Sequence, residues 1–471
     1  MPADSSKMPI STNKKSTRPT MKRQLTATHL QLVSIGGVIG AGFFLGAGKT
    51  IALAGTSVLI VYGIVGVFVF LVMRAMGELL LSDLSYRSFI DVIYVYLGSG
   101  MAFVVGWTYW LCWLIIAIAN TVAITGYVLF WYPDMPLWLP ALLNIGVIVL
   151  INLLSVKWFG EAEKYLTLIK VITIVAIIGV GIWLAVVGHT VGAQKASVWH
   201  LFDKDNFMPM GLTGFFAAFQ LAVQANTGAE LVGAAAAETN NPTKNLPKAI
   251  NQIPIRVALF FIGSLAVILM NIPLANIQVG TSPFVQLFEL IGFVGVASII
   301  NFVAISAALS SANSGLYSSA RMVYGLSQQN NAPKCFGQLN RSGVPAYGVV
   351  YSAIYLSISF VLLYGTDSIM QAFTIISTIS SACFILIWAT IATAYLRYRY
   401  TAPDLHSKSV YQMPLGRSLC VLCLLFFGGV LWIFLQNNET SLGIKLVPIW
   451  LVSLFIIHHV NHKHKKTTHQ K

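Results

Sequence analysis

Charge is scarce in this chain. Of its 471 residues only 9% are charged and 56% are hydrophobic, whereas a soluble domain carries about 25% charged residues; a water-soluble globular fold is excluded. Cysteine is scarce as well. The five cysteines, at 112, 335, 383, 420 and 423, are scattered, so no disulfide framework is implied. Cys420 and Cys423 form a CxxC at the start of an apolar run without a partner pair, where small packing residues are the expected role. No His-rich or Asp-rich motif occurs in or beside the apolar runs, which leaves no nucleophile, base or metal constellation for an enzyme and no cofactor or metal to expect. Long polar segments are missing too: the basic stretches before the first apolar run and after the last are about 28 and 12 residues, short for the reporting domain of a membrane-bound sensor.

What the chain has in abundance is long apolar runs. Windows of about 19 residues, read for segments able to cross about 30 Å of hydrocarbon, predict twelve spans near 30–52, 56–78, 101–127, 136–155, 165–188, 211–235, 254–273, 286–320, 345–364, 369–396, 419–436 and 445–459. The expected fold is an all-α polytopic membrane protein with twelve transmembrane helices. Residues 1–28 are polar and basic and lead straight into the first span, so no cleavable signal peptide is expected. The net charge of +14 does not point to nucleic acid, because 24 of the 29 Lys and Arg fall on one set of alternate loops and tails. The positive-inside rule places that set, and both termini, in the cytoplasm. The tails, including "HHVNHKHKK" at 458 to 466, are then topology determinants lying against an anionic lipid bilayer.

Within the first span, "SIGGVIGAGFFLGAGKT", residues 34 to 50, places six glycines in thirteen positions, a poor choice for a helix meant to run unbroken. Its "GAGKT" is not a phosphate-binding loop. That motif needs a glycine five positions before Gly48, where Phe43 stands, and a preceding strand. Broken backbone at membrane depth has to line a cavity. A similar interruption comes five spans later in "FFAAFQLAVQANTGAELVGAAAAE", residues 215 to 238, where Gln224, Asn226, Thr227, Gly228 and Glu230 fall in mid-span. Interrupted spans 1 and 6 are what an inverted repeat of five plus five spans produces, each being the first helix of its half. Amides around Gly40, Ala41 and Gly42 would then point a positive helix end at a carboxylate, while carbonyls around Ile35, Gly36, Gln224 and Ala225 would accept an ammonium group. A small free amino acid meets both demands. The competing reading of the glycines is close helix packing, which Gly36 and Gly40 alone would satisfy.

Ionisable groups inside a membrane are costly and are functional candidates by default. Lys170, about one turn inside the predicted fifth span, is either a snorkelling anchor or a group in a dry site between spans 1, 5 and 8 that gains and loses a proton during a transport cycle. Glu230, just past the break in span 6, either accepts hydrogen bonds from unpaired amides or itself takes a proton. Arg74 and Glu78, four apart at the end of span 2, are expected to form a surface i,i+4 pair. The run "SAALSSANSGLYSSA", 306 to 320, is expected to be a packing face.

These stretches carry a resemblance. "IGGVIGAGFFLGAGKTIALAG", "RAMGELLLSDLSYRSF", "GWTYWLCW", "KAINQIPIRV", "SSANSGLYSSARMVYGLSQQNNAPK" and "YQMPLGR" are similar to the amino acid–polyamine–organocation (APC) superfamily, in its bacterial amino acid permease branch. The likeness runs from residue 22 to about 417. Within that branch "GKTIALAG", "ELLLSDLSYRSF", "SPFVQLF" and "MPLG" most resemble the D-serine/D-alanine/glycine permeases. The resemblance implies a proton-coupled symporter that imports small neutral amino acids by alternating access across the inner membrane. It also implies a LeuT-like five-plus-five core at 29–396, with repeats at about 29–188 and 211–396, helices 11 and 12 with their connecting loop at 397–459, and a basic tail at 460–471. By the same resemblance Lys170 serves proton coupling, and Gly36, Gly40 and Gly42 form the backbone site. The chain departs from its apparent relatives at Gln224, Asn226, Thr227 and Ala229, where aromatic or bulky apolar residues are usual, and at Ala41, where many have a hydroxyl. Lost aromatics would remove a lid over the substrate, and side-chain amides there would favour serine-like substrates. A same-fold permease for aromatic, basic or γ-amino acids is the alternative, although no acidic pocket residue beyond Glu230 is available for a cation.

Overall fold

The computed structural model describes residues 39–86, 88–154, 156–192, 194–234 and 241–468. Among them, nine helical stretches are long and apolar enough to cross a membrane, and Trp138–Leu154 is a shorter apolar helix. The chain is a helical, multi-pass membrane protein. Its outward faces are what a lipid environment requires: on the helix Val156–Val187, Ile172, Val175, Ile182 and Val186 are exposed, while Lys170, Ile174 and Ile177 on the opposite face are buried.

Nine helices position the candidate site and are labelled here in chain order. The first, α1 (Ala41–Phe44), runs almost directly into α2 (Gly46–Ala54). A turn at Gly55–Ser57, with Thr56 N donating to Asn206 O at 2.8 Å, leads into α3 (Val58–Ser82). Next come α4 (Ser99–Leu129) and α5 (Val156–Val187). The predicted sixth span is in pieces: a lead-in of about two turns at Gly211–Ala217, then α6 (Phe219–Asn226), then α7 (Leu231–Ala234). The last two are α8 (Val294–Gln328) and α9 (Ile369–Thr401).

One predicted boundary needs correction. The apolar stretch of the fifth span, Glu163–Val187, agrees with the expected 165–188, while its helix begins earlier, at Val156, so Lys170 lies roughly four turns into the helix. The eighth span does not run 286–320. A separate helix, Pro283–Leu290, is followed by Gly292, whose φ is +82°, and α8 begins at Val294. Proline at the first position of that short helix, following Ser282, is a start signal inside an apolar run.

The centre of the bundle is α8 against α4. Ala304, Ala307, Ala308 and Ala312 of α8 are buried, Ser319 donates to the Trp110 carbonyl at 3.3 Å, and Ser311 accepts from Asn120 at 3.2 Å. Small residues let the two helices close on one another and place their few polar groups in mutual reach. The 306–320 run is thus a packing face, as expected, and it also presents Ser310 and Ser311 to the site. Cys420 and Cys423 are buried free thiols, and Cys420 Sγ donates to Ala392 O at 3.1 Å.

Arg74 and Glu78 do not pair with one another. Glu78 is fully buried and accepts from Tyr395 at 2.9 Å and from the Met413 amide at 2.8 Å, with His406 Nδ1 2.5 Å from its other oxygen. Arg74 donates to Gln412 O and to Asn251 Oδ1 and stacks over the Tyr411 ring, 3.9 Å from its centre. The loop after α9 folds back onto α3 and takes both residues, so the expected surface pair is instead a clasp between distant parts of the chain.

Candidate substrate and coupling site

The glycine cluster lies against α4, α6 and α8. Gly40 is extended, with φ −128° and ψ −152°, and α1 starts at the next residue. There is no room for a side chain at Gly40: a Cβ would stand 2.7 Å from Ser311 Oγ and 2.8 Å from Asn120 Oδ1. The Ala41 amide donates to Asn120 Oδ1 at 2.9 Å, and Asn120 Nδ2 donates to Ile116 O at 2.7 Å and to Ser311. Asn120 therefore ties the start of α1 to α4 and α8 at once, through an amide that a helix start leaves without an internal partner. Gly42 faces the other way, its notional Cβ 3.5 Å from Gln224 Cγ and 3.7 Å from Ala225. The structure thus brings Gly40, Ala41, Gly42, Gln224 and Ala225 together. Ile35 and Gly36 lie outside the described residues.

The interruption in the predicted sixth span occupies Thr227–Glu230. Thr227 is extended and Gly228 has φ +95°, a backbone glycine adopts without a Cβ penalty. The polar residues of the break close their own helix end. Asn226 Nδ2 donates back to Ala222 O at 2.9 Å, and Thr227 Oγ1 donates to Gln224 O at 2.7 Å. Gln224 Oε1 accepts from Ser381 at 3.2 Å, and Gln220 donates to Ser377 at 3.1 Å, so α6 is stitched to α9 along one face. Ala229 is buried. Glu230 sits just beyond, 0% exposed, accepting from the Gly228 amide at 3.2 Å and from Trp388 Nε1 at 3.3 Å. Its Oε1 has no hydrogen bond among the described residues.

Lys170 is 0% exposed, which rules out a side chain snorkelling to water. Its ammonium donates to Ser310 Oγ at 2.7 Å, and Ser310 donates to Glu163 Oε1 at 2.5 Å. Ser310 is the chain neighbour of Ser311, which touches Gly40, so the lysine and the glycine cluster meet at one point on α8. Glu230 is in a separate place, against α9.

Sequence reasoning missed Glu163, Asn120 and Ser310. Glu163 is seven residues before Lys170, two helical turns along the same face of α5, and 0% exposed. That spacing was the available signal. Asn120 was visible as a polar residue amid an apolar helix, with nothing nearby in sequence to name its partner.

The family model for amino acid permeases matches residues 29–468. The chain is 45% identical over 436 residues to the D-serine/D-alanine/glycine transporter of Escherichia coli (strain K12), covering 92% of this chain and 93% of that one. It is 43% identical over 440 residues to the amino-acid permease AapA of Bacillus subtilis (strain 168), covering 93% and 95%. To the aromatic amino acid transport protein AroP of Escherichia coli (strain K12) it is 37% identical over 439 residues, covering 93% and 94%. With a family match over nearly its whole length, relatives aligned almost end to end and the multi-pass helical architecture described above, the chain belongs to the amino acid permease family of the APC superfamily.

Proposed function

We propose that the protein is a proton-coupled symporter that imports small neutral amino acids, D-alanine, D-serine, glycine and L-serine among them, across the cytoplasmic membrane. The observation that carries this reading is the fully buried Lys170, held by Ser310 beside the point where Ser311 meets Gly40. A lysine in that position does the work of a coupling cation, ordering α8 against the start of α1 when charged and releasing it when not. The 45% identity to a D-serine/D-alanine/glycine transporter favours small substrates over the aromatic class, to whose carrier the identity is 37%. In this reading the chain has twelve spans and a five-plus-five inverted repeat with both termini in the cytoplasm. The substrate carboxylate addresses the start of α1 and its ammonium group the carbonyls at the end of α6. Glu230, fixed by Gly228 and Trp388, holds the break in shape for that purpose or exchanges a proton there.

The test is uptake of labelled D-alanine, D-serine, glycine and L-serine into sodium-free proteoliposomes, with and without an inside-alkaline gradient. The wild type accumulates substrate only with the gradient, and Lys170→Ala loses uphill uptake. Undiminished accumulation by Lys170→Ala overturns the assignment of coupling to this residue.

A further inference from the structure

We propose that Glu163 is a second proton-binding group of the coupling site, sharing the transported proton with Lys170 through the Ser310 hydroxyl; this rests on the reading of Lys170 given above. The three groups form one directed chain. Lys170 Nζ donates to Ser310 Oγ at 2.7 Å, and Ser310 donates to Glu163 Oε1 at 2.5 Å. Both ionisable groups are 0% exposed and sit on the same face of α5, with Thr167 between them, its hydroxyl 3.5 Å from Glu163 Oε1. Among the described residues, the opposite charge acting on Glu163 is that of Lys170, and the hydroxyls of Ser310, Ser314 and Thr167 face it.

Two features make this a proton site and not a fixed ion pair. Glu163 Oε2 has no hydrogen bond among the described residues, and neither has the hydroxyl of Ser314, one turn along α8 from Ser310. A buried carboxylate is stable as an anion when both oxygens are satisfied; with one oxygen bare, the protonated acid has a use for its hydrogen. The charge balance then follows. With Lys170 and Glu163 sharing one proton between them the site carries no net charge, and in the form where both are neutral Lys170 releases α8, so the empty carrier can reorient without an unpaired buried charge. One added proton leaves Glu163 as the neutral acid and Lys170 as the ammonium, whose charge holds the loaded state. Within the neutral pair a concerted relay is available. A proton leaves Nζ, whose bonding pair stays on nitrogen, and joins Ser310 Oγ, while the original Ser310 proton passes to Glu163 Oε1. Both forms carry no net charge.

Glu163→Gln keeps the size and the hydrogen-bonding capacity of the side chain and removes the proton site. In sodium-free proteoliposomes, with labelled D-alanine as the probe, this variant is expected to lose at least tenfold in gradient-driven accumulation. Its counterflow exchange at equal pH stays within about threefold of wild type and no longer varies with pH. Lys170→Met alone leaves the carboxylate without its counter-charge; adding Glu163→Gln restores counterflow, without restoring accumulation. Accumulation by Glu163→Gln equal to wild type overturns the proposal. So does loss of counterflow in Glu163→Gln that the double variant does not recover, which would make Glu163 a structural partner only. Failure of the wild type to respond to the gradient at all would instead strike the proton-coupled reading, which separates the two.

Discussion

Replacing Gly40 by alanine is the sharpest perturbation available at the site. A Cβ there would stand 2.7 Å from Ser311 Oγ, 2.8 Å from Ser311 Cβ and 2.8 Å from Asn120 Oδ1, where ordinary contact begins at 3.4 Å. None of these atoms is the far end of a flexible chain: Ser311 is on α8 and Asn120 is pinned by its bonds to Ile116 O and Ser311. Overpacking of this kind costs about 1–3 kcal/mol. If Asn120 retreats, the Ala41 amide loses its acceptor, which adds about 1–3 kcal/mol for a buried unpaired donor. A total of about 2–6 kcal/mol corresponds to a loss of roughly 30-fold to 20,000-fold, at about 1.4 kcal/mol per factor of ten. Two assays locate that loss: the melting temperature of the purified variant, followed by tryptophan fluorescence, and counterflow of labelled D-alanine. The companion change Ser311→Gly removes two of the three clashing atoms, so the double variant should recover part of both signals. Wild-type melting and wild-type exchange in Gly40→Ala would refute the claim that α1 starts in a space with no slack.

Trp388→Phe removes the indole donor to Glu230 and leaves the carboxylate with the Gly228 amide; a fall in stability of about 1–3 kcal/mol is expected, and an unchanged melting temperature would show that the indole is not needed to hold the break. Gln224→Phe, placed between Gly42 and Ser381, should shift competition towards aliphatic substrates, and an unaltered competition profile would put this side chain outside the path of the substrate. Glu78→Ala strands Tyr395, the Met413 amide and His406 together and should lower the yield of folded protein severalfold in detergent; a normal yield would mean the clasp adds little to the fold.

The helices and the break were legible because both are local signals: apolar length for the spans, and a cluster of amides, threonine and glycine in mid-span for the interruption. Lys170 was legible for the same reason, as a lone charge in an apolar run. Glu163 was not, because Glu161, Glu163 and Lys164 together look like a polar connection ahead of a helix, when the helix in fact begins at Val156 and only one of the three turns inward with Lys170. The site's polar partners come from elements far apart in sequence, Asn120 to Ser311 across 191 residues and Ser310 to Glu163 across 147, and no local pattern encodes such a meeting. Arg74 and Glu78 misled in the opposite way: an adequate partner four residues off concealed the true partners beyond residue 250.

The clasp on Glu78 also sets an order of assembly. Its acceptor is made early, while its donors at His406 and Met413 are 328 and 335 residues further on. At about 5–20 residues per second on the ribosome, that interval is roughly 20–70 s, during which α3 is already synthesised and its carboxylate has no intended partner. Completion of α9 and the loop behind it closes the gap, fastening late-made chain to early-made chain. A nascent or truncated polypeptide that stops short of Met413 differs from the finished molecule by a missing amide donor at the buried acid of α3, so the closing of that acid marks the completion of the chain through this loop.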